Sequence, residues 1–255
     1  MTQERYELRA WWNSRPLTVP QCAEQFRAFV NALAEFDPVF SSWLRSSGAS
    51  ANACFSVPLG ADEALQFVMK ARARYDSPPD RLWPEMGYRV FGWNGGPPEY
   101  RGRRAFMGGA SLQVGAFGRD QAHRNYIILN ISETRIGAKA PWTASELRPL
   151  MKLVLSIWAP RELSIDCQRY DAFVPEVEDK ANATGSRRLL PWVGWLTYLP
   201  ADLAAKVAIP PDIGVERLDD GGIIATLSEE PFTIDDPVHM ARARAMEAAI
   251  RPVQA

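Results

Sequence analysis

The sequence predicts an α+β fold in which helices flank a mainly antiparallel sheet, with residues 1–255 forming a single domain. Strand-like and helical segments follow one another without the regular alternation that a parallel sheet requires. The run Asp219-Asp220-Gly221-Gly222 between two strand-like segments is typical of an antiparallel hairpin turn. Of the 255 residues, 47% are hydrophobic and 23% are charged, and a chain of this size buries a core without metal ions or disulfides.

The first half of the chain is predicted to open with a strand and a capped helix. Thr18 and Gln21 fit a capping box, and the apolar residues that follow keep helical spacing until Asp37-Pro38 ends the helix. The expected elements are a strand at 6–13, this helix, a segment at 39–44 that packs Phe40 and Trp43 inward, a connector of small residues at 46–60, a helix at 62–75 and a strand at 88–96.

The second half is predicted to hold more strands and two further helices. Thr143 and Glu146 form another capping box, and Trp158-Ala159-Pro160 closes that helix. Asp236 and Pro237 are typical of the N-cap and first residue of a final helix. Strands are expected near 111–117, 126–131, 163–168, 193–199, 215–218 and 223–227, with a polar loop at 171–191. Apolar neighbours predict core positions for Trp158 and Trp195.

The net charge of −1 is unevenly distributed along the chain. Residues 171–236 contain 13 acidic and 5 basic side chains. A near-neutral total argues against direct binding of nucleic acid, which usually requires a strongly basic protein. An acidic segment instead favours a basic protein partner.

Features of the chain that bear on location predict a cytoplasmic protein with no membrane contact. No run approaches the about 20 apolar residues of a membrane-spanning helix, and the first residues lack an apolar signal region. Cys22, Cys54 and Cys167 are odd in number and widely spaced, which is typical of reduced thiols.

The motifs of common enzymes are missing, so no catalytic residue, metal site or cofactor is predicted. Only two histidines occur, His123 and His239, and neither lies in a metal-binding motif. One alternative stays open: a metal-dependent nuclease or other hydrolase that uses Asp80, Glu178 and Lys180, since two carboxylates and a lysine are the groups that such enzymes employ.

Several segments together resemble the Immunity protein 52 family of bacterial polymorphic-toxin and type VI secretion systems. They are Tyr6–Arg15 (YELRAWWNSR), Phe36-Asp37-Pro38 with Trp43, Gly87–Gly96 (GYRVFGWNGG), the helix end Trp158-Ala159-Pro160, Val193–Leu199 (VGWLTYL) and the helix start Asp236-Pro237-Val238-His239. They span nearly the whole chain in order. The resemblance implies a role in bacterial competition: inhibition of a cognate secreted toxin by binding, without catalysis. Toxins encoded beside such proteins are often nucleases of the restriction-endonuclease fold, which implies a nuclease effector as partner.

Electrostatics predicts where such a toxin would bind. A nuclease presents lysine and arginine to phosphate, and opposed charge speeds association with an inhibitor. The predicted contact is therefore acidic, with an aromatic anchor close to it. The residues of this prediction are Glu176, Glu178, Asp179, Asp219, Asp220, Glu229 and Glu230, with Trp93 and Asn94 as the anchor.

Overall fold

The computed structural model describes residues 5–47, 50–75, 78, 80–94, 109–117, 124–131, 141–170 and 192–254, and it describes the side chains of these except at 44–56, 91–94 and 254. Within these ranges, ten strands form one sheet: β1 (Tyr6–Trp12), β2 (Ser42–Ser47), β3 (Ser50–Ser56), β4 (Tyr88–Asn94), β5 (Gly109–Val114), β6 (Asn125–Ile131), β7 (Glu162–Cys167), β8 (Leu196–Leu199), β9 (Gly214–Arg217) and β10 (Ile223–Thr226). Their order is β3-β2-β4-β5-β6-β1-β7-β8-β10-β9, and each neighbouring pair is antiparallel. The predicted α+β fold with a mainly antiparallel sheet is confirmed.

Strand β1 joins the two halves of the chain at the middle of the sheet. It pairs with β6 on one side and β7 on the other, so that Leu8 lies opposite both Leu129 and Ile165. Its buried residues alternate with half-buried ones, as expected when one face of a strand packs against the core. The sheet is therefore continuous from its first-half strands to its last hairpin.

In the described part of the chain, five α-helices accompany the sheet: α1 (Val19–Phe36), α2 (Ala61–Lys70), α3 (Ala144–Trp158), α4 (Ala201–Ala204) and α5 (Pro237–Gln254). Both predicted capping boxes are present, at Thr18 with Gln21 and at Thr143 with Glu146. The Trp158 ring at the end of α3 stacks on Trp12 with a centroid distance of 5.7 Å, so α3 packs on the core face of β1.

The C-terminal helix is attached through polar and aromatic contacts. The Asp236 side chain caps it by accepting from the Val238 amide at 2.7 Å. The Tyr170 hydroxyl donates to Glu247, and the His239 ring stacks on Phe232 at 5.4 Å.

The indole of Trp195 donates to the Ser228 carbonyl at 2.7 Å. Trp158 and Trp195 are both fully buried, which confirms their predicted core positions.

Three of the expected elements differ in the structure. The region 46–60 is not a connector, because it contains most of the β2–β3 hairpin. Helix α2 ends at Lys70 rather than near Tyr75, because the backbone beyond it turns to pair with the β4 region: the Arg89 amide donates to the Ala71 carbonyl at 2.8 Å. Strand β8 is shorter than expected, and α4 was not expected at all.

Candidate functional site

Two of the predicted acidic pairs lie on the same hairpin at one edge of the sheet. Asp219 and Asp220 form the turn between β9 and β10, and Glu229 and Glu230 follow the end of β10. Because β9 and β10 are antiparallel, with Gly214 opposite Thr226, the two pairs lie at opposite ends of the hairpin. All four side chains belong to exposed residues. We call this hairpin with its flanking carboxylates, residues 212–230, the acidic hairpin.

The turn of the acidic hairpin is held by Asp220. Its carboxylate accepts from the Gly222 amide at 2.8 Å and from the Tyr198 hydroxyl at 3.3 Å. Burial and the nearby charge of Asp220 raise the pKa of Tyr198 to about 12, so this hydroxyl remains a donor. Gly221 has a φ of +82°, a conformation that L side chains rarely adopt. Asp220 thus has a structural role, whereas Asp219 has no side-chain partner among the described residues.

Glu229 is tied to the start of α3. Its backbone carbonyl accepts from the Ala144 amide at 3.0 Å, and its side chain accepts from the Ser145 amide at 2.7 Å and from Arg148 at 3.1 Å. Partial burial opposes ionisation of Glu229, but the bonds from Ser145 and the charge of Arg148 outweigh it and lower the pKa. Glu229 therefore supplements the cap of a helix whose first residues lie about 85 positions earlier in the chain. Its neighbour Glu230 is exposed, and its side chain has no partner among the described residues.

Sequence reasoning missed two further carboxylates of the acidic hairpin. Glu216, in β9, pairs with Lys152 of α3 and lies 3.8 Å from Arg148. Asp212, two residues before β9, lies 3.5 Å from Arg242 of α5. Both belong to the acidic segment, but nothing in their local sequence indicates partners on distant helices.

The hairpin borders a cleft of about 640 Å³ between the N-terminal part of α3 and α5. The residues that line it come from α3, α5, and the acidic hairpin. They are Arg148, Asp212, Gly214, Val215, Glu216, Thr226, Leu227, Ser228, Glu229 and Arg242. Within the cleft the carboxylates are matched by the basic groups of the two helices. The excess negative charge of the acidic hairpin lies instead at its two ends.

The remaining predicted contact residues do not join this surface among the described residues. Trp93 and Asn94 are at the end of β4, opposite Leu44 and Trp43 of β2. Strand β4 lies six strand spacings from β10, or about 29 Å along the sheet at the usual separation. The prediction that Trp93 and Asn94 lie close to the acidic residues is therefore wrong for those of the acidic hairpin. Glu176, Glu178 and Asp179 lie outside the described residues.

The part of the chain that the structure describes contains only one of the three residues of the hydrolase alternative. Asp80 is exposed, and its backbone carbonyl accepts from Arg74 at 3.1 Å; its proposed partners Glu178 and Lys180 lie outside the described residues. No group of three or more histidine, cysteine, aspartate or glutamate side chains among the described residues is placed to hold a metal ion. Burial raises the pKa of the Cys22 thiol to about 12, which disfavours its thiolate.

Comparison with known protein families decides the classification. The model of the family described as Immunity protein 52 matches residues 4–253. This chain belongs to the Immunity protein 52 family. The match covers nearly the whole chain, including every strand given above and all of the helices except the last residue of α5. The resemblance drawn from the short segments is therefore confirmed, and the chain has the family's immunity role.

The classification of this Immunity protein 52 member rests on the family match alone. A solved structure of a type VI secretion system protein from Pseudomonas aeruginosa is 12% identical, with a TM-score of 0.49 over 96% of this chain and 76% of the other. No curated protein sequence gave a significant match. Within the described residues, no helix is long and apolar enough to span a lipid bilayer.

Proposed function

We propose that this immunity protein neutralises a secreted bacterial toxin by binding it stoichiometrically, and that the toxin is a nuclease of the restriction-endonuclease fold. The observation that carries the proposal is membership of the Immunity protein 52 family over residues 4–253. Such proteins protect the bacterium that makes the toxin, and inhibition by binding needs no catalytic group of the inhibitor's own. Since bacterial nucleic acid lies in the cytoplasm, the proposal places the inhibitor there.

The charge of the acidic hairpin supports a nuclease as the partner. The hairpin, residues 212–230, contains six acidic side chains and one basic side chain. A nuclease must present a basic surface to the phosphates of its substrate. An acidic inhibitor can approach that surface quickly, because opposed charges steer association to rates that reach about 10⁸–10⁹ M⁻¹s⁻¹ at low salt.

Within the acidic hairpin, Asp219 and Glu230 are the carboxylates that we expect to meet the toxin. Both are exposed, and neither has a side-chain partner among the described residues. The Glu229 side chain already accepts hydrogen bonds from Ser145 and Arg148, and the Asp220 side chain accepts from the Gly222 amide in the turn. Changes at those two positions would alter the fold as well as the surface.

The function is tested by co-expression with the toxin encoded by the neighbouring gene. We expect the toxin alone to arrest growth and the wild-type immunity protein to restore it. The purified pair should form a one-to-one complex that no longer cleaves DNA or RNA. A toxin that remains active in the presence of excess immunity protein would overturn the proposal.

The surface is tested by charge reversal in the same pair. We expect Asp219→Lys with Glu230→Lys to slow association about tenfold at low salt and to flatten its salt dependence. Glu35→Lys with Asp80→Lys is the matched control, because it changes the net charge equally at exposed positions elsewhere whose side chains also lack partners among the described residues. Equal effects of the two double variants would exclude the acidic hairpin as the steering surface while leaving the inhibitory function intact.

A further inference from the structure

Among the described residues, strand β9 is the last strand of the sheet, and one side of its backbone has no strand beside it. The other side pairs with β10, with Val215 opposite Ala225 and Arg217 opposite Ile223. An open edge of this kind is a template for another strand, and proteins protect it by keeping the strand short or with charged side chains, proline, a bulge or a covering segment. Strand β9 is short and carries Glu216 and Arg217, but it contains no proline and its register with β10 is regular, so its outer backbone groups remain able to pair.

The hydrogen bonds of the hairpin show which backbone groups face outward. The Leu218 amide donates to the Gly222 carbonyl at 2.9 Å, so Leu218 and Gly222 are a bonded pair. Bonded and non-bonded pairs alternate in an antiparallel ladder, which makes Glu216 and Gly214 the next bonded residues of β9. The amide and carbonyl groups of Val215 and Arg217 therefore point away from β10, toward the open edge.

The hydrogen bonds between β10 and β8 show independently which residues of β10 bond to β9. The Leu227 amide donates to the Trp195 carbonyl at 3.0 Å. By the same alternation, Ala225 and Ile223 use their backbone groups toward β8, and Ile224 and Thr226 use theirs toward β9.

The side chains around this edge suit an extended peptide. Val215 is an apolar residue that is 45% exposed on an otherwise polar strand. In the cleft beside β9, Glu216 and Asp212 are already paired with basic side chains of α3 and α5, so the carboxylates left for a partner lie at the two ends of the strand. Carboxylates stand at both ends of β9: Asp219 and Asp220 follow it, and Glu229 and Glu230 flank its beginning.

We propose that the open edge of β9 binds an extended strand of the toxin that carries lysine or arginine at both ends. The strand bonds to the amide and carbonyl groups of Val215 and Arg217 and so adds an eleventh strand to the sheet. Main-chain bonds supply affinity in this mode of recognition, and the flanking side chains select the partner. The inference rests on the proposed function and specifies the site at which it acts.

The charges favour the toxin over a second copy of this chain as the occupant. If two β9 strands paired antiparallel, the Asp219-Asp220 end of each copy would lie beside the Asp212 end of the other. If they paired in parallel, the two Asp219-Asp220 turns would lie side by side. Either arrangement places carboxylate against carboxylate, which is destabilising in paired strands.

Proline substitution tests the edge without breaking the hairpin. Val215→Pro removes an amide hydrogen that points outward, so the β9–β10 ladder keeps its bonds, and proline is tolerated on edge strands in this position. The probe is the purified toxin domain encoded by the neighbouring gene, inactivated in its active site. We expect Val215→Pro to raise its Kd at least about tenfold, whereas the control Val215→Thr, which keeps the amide, stays within about twofold.

A second measurement keeps the test valid if the proline variant does not fold. In the wild-type protein, hydrogen exchange at the amides of Val215 and Arg217 should slow at least about tenfold when the toxin domain binds, because free-edge amides become bonded. A folded Val215→Pro variant that binds like the wild type, or unchanged exchange at both amides in the complex, would overturn the edge as the site. So would a dimer of the isolated wild-type chain in sedimentation that Val215→Pro makes monomeric. Failure of the wild-type protein to bind the toxin domain would instead overturn the proposed function.

Discussion

At the scale of single residues, the two buried tryptophans Trp158 and Trp195 differ in one polar contact. The Trp195 indole donates to the Ser228 carbonyl at 2.7 Å, whereas the Trp158 indole nitrogen is buried without a hydrogen-bond partner among the described residues. Both rings fill the core, and truncation of either to alanine should cost roughly 3–5 kcal/mol through the cavity that remains. Replacement by phenylalanine is a smaller change, and because of this polar contact it should lower the free energy of unfolding by different amounts at the two positions.

We expect Trp195→Phe to lower the free energy of unfolding by about 1 kcal/mol more than Trp158→Phe. The first change leaves the buried Ser228 carbonyl without its indole donor, and the second removes a donor that had no acceptor. Urea denaturation of the two variants against the wild type measures the difference. Equal losses, or a larger loss for Trp158→Phe, would contradict this assignment of the two indoles.

At the scale of elements, the sequence predicted what is locally determined and failed where distant partners decide. The capping boxes at Thr18 and Thr143 are contained in four residues each, and both are present. Strand β3 was missed because its small residues have weak strand preference, and its pairing with β2 fixes it. The acidic hairpin was placed correctly from its turn sequence, but the role of Glu229 was not, because Ser145 and Arg148 lie more than 80 positions away.

Glu229 gives a prediction about helix α3. Glu229→Gln should reduce the free energy of unfolding at neutral pH by about 1 kcal/mol, because it removes a negative charge that accepts from Ser145 at the helix start and pairs with Arg148. Glu230→Gln is the matched control, since this neighbour lacks such partners among the described residues, and it should leave stability unchanged. Thermal unfolding of the three proteins measures both effects.

The same carboxylate sets the pH dependence of this difference. The folded protein lowers the pKa of Glu229, so its contribution is present above the ordinary carboxyl range near 4.5 and is lost as the pH falls through the lower folded value. The gap in melting temperature between wild type and Glu229→Gln should therefore shrink on acidification below that range. A gap that stays constant down to strongly acidic pH would show that the charge of Glu229 does not carry the effect.

At the scale of the whole molecule, the strand order places the acidic hairpin far from Trp93 and Asn94, although the sequence predicted that an aromatic anchor lies close to the acidic residues. The acidic hairpin ends the sheet on one side, and Trp93 and Asn94 lie on β4 toward the other. The sequence could not give this separation, because strand order depends on pairings between segments far apart in the chain. A toxin that contacts both regions would need a footprint spanning most of the sheet.

The continuity of the sheet also predicts how the molecule unfolds. Strand β1 is shared: its pairing with β6 joins it to the first-half strands, and its pairing with β7 joins it to the last ones. Loss of either half would expose a full edge of β1 and uncover Leu8, Ala10 and Trp12, which are buried. Neither half of the sheet is therefore expected to remain folded when the other unfolds.

We accordingly expect one cooperative transition, as for a single domain. Far-ultraviolet circular dichroism reports the backbone of the whole chain, while near-ultraviolet dichroism and fluorescence report its nine tryptophans, which are spread from Trp11 to Trp195. In urea, the three curves should coincide within error, and Trp195→Ala should shift all of them together. Hydrogen exchange gives a sharper test. Trp195 lies in the segment leading into β8, and Trp195→Ala should increase the exchange rates of the slowest amides of β6 as much as those of β7. Two separated transitions, or an effect confined to β7–β10, would instead indicate that the chain folds as two units that merely share a sheet.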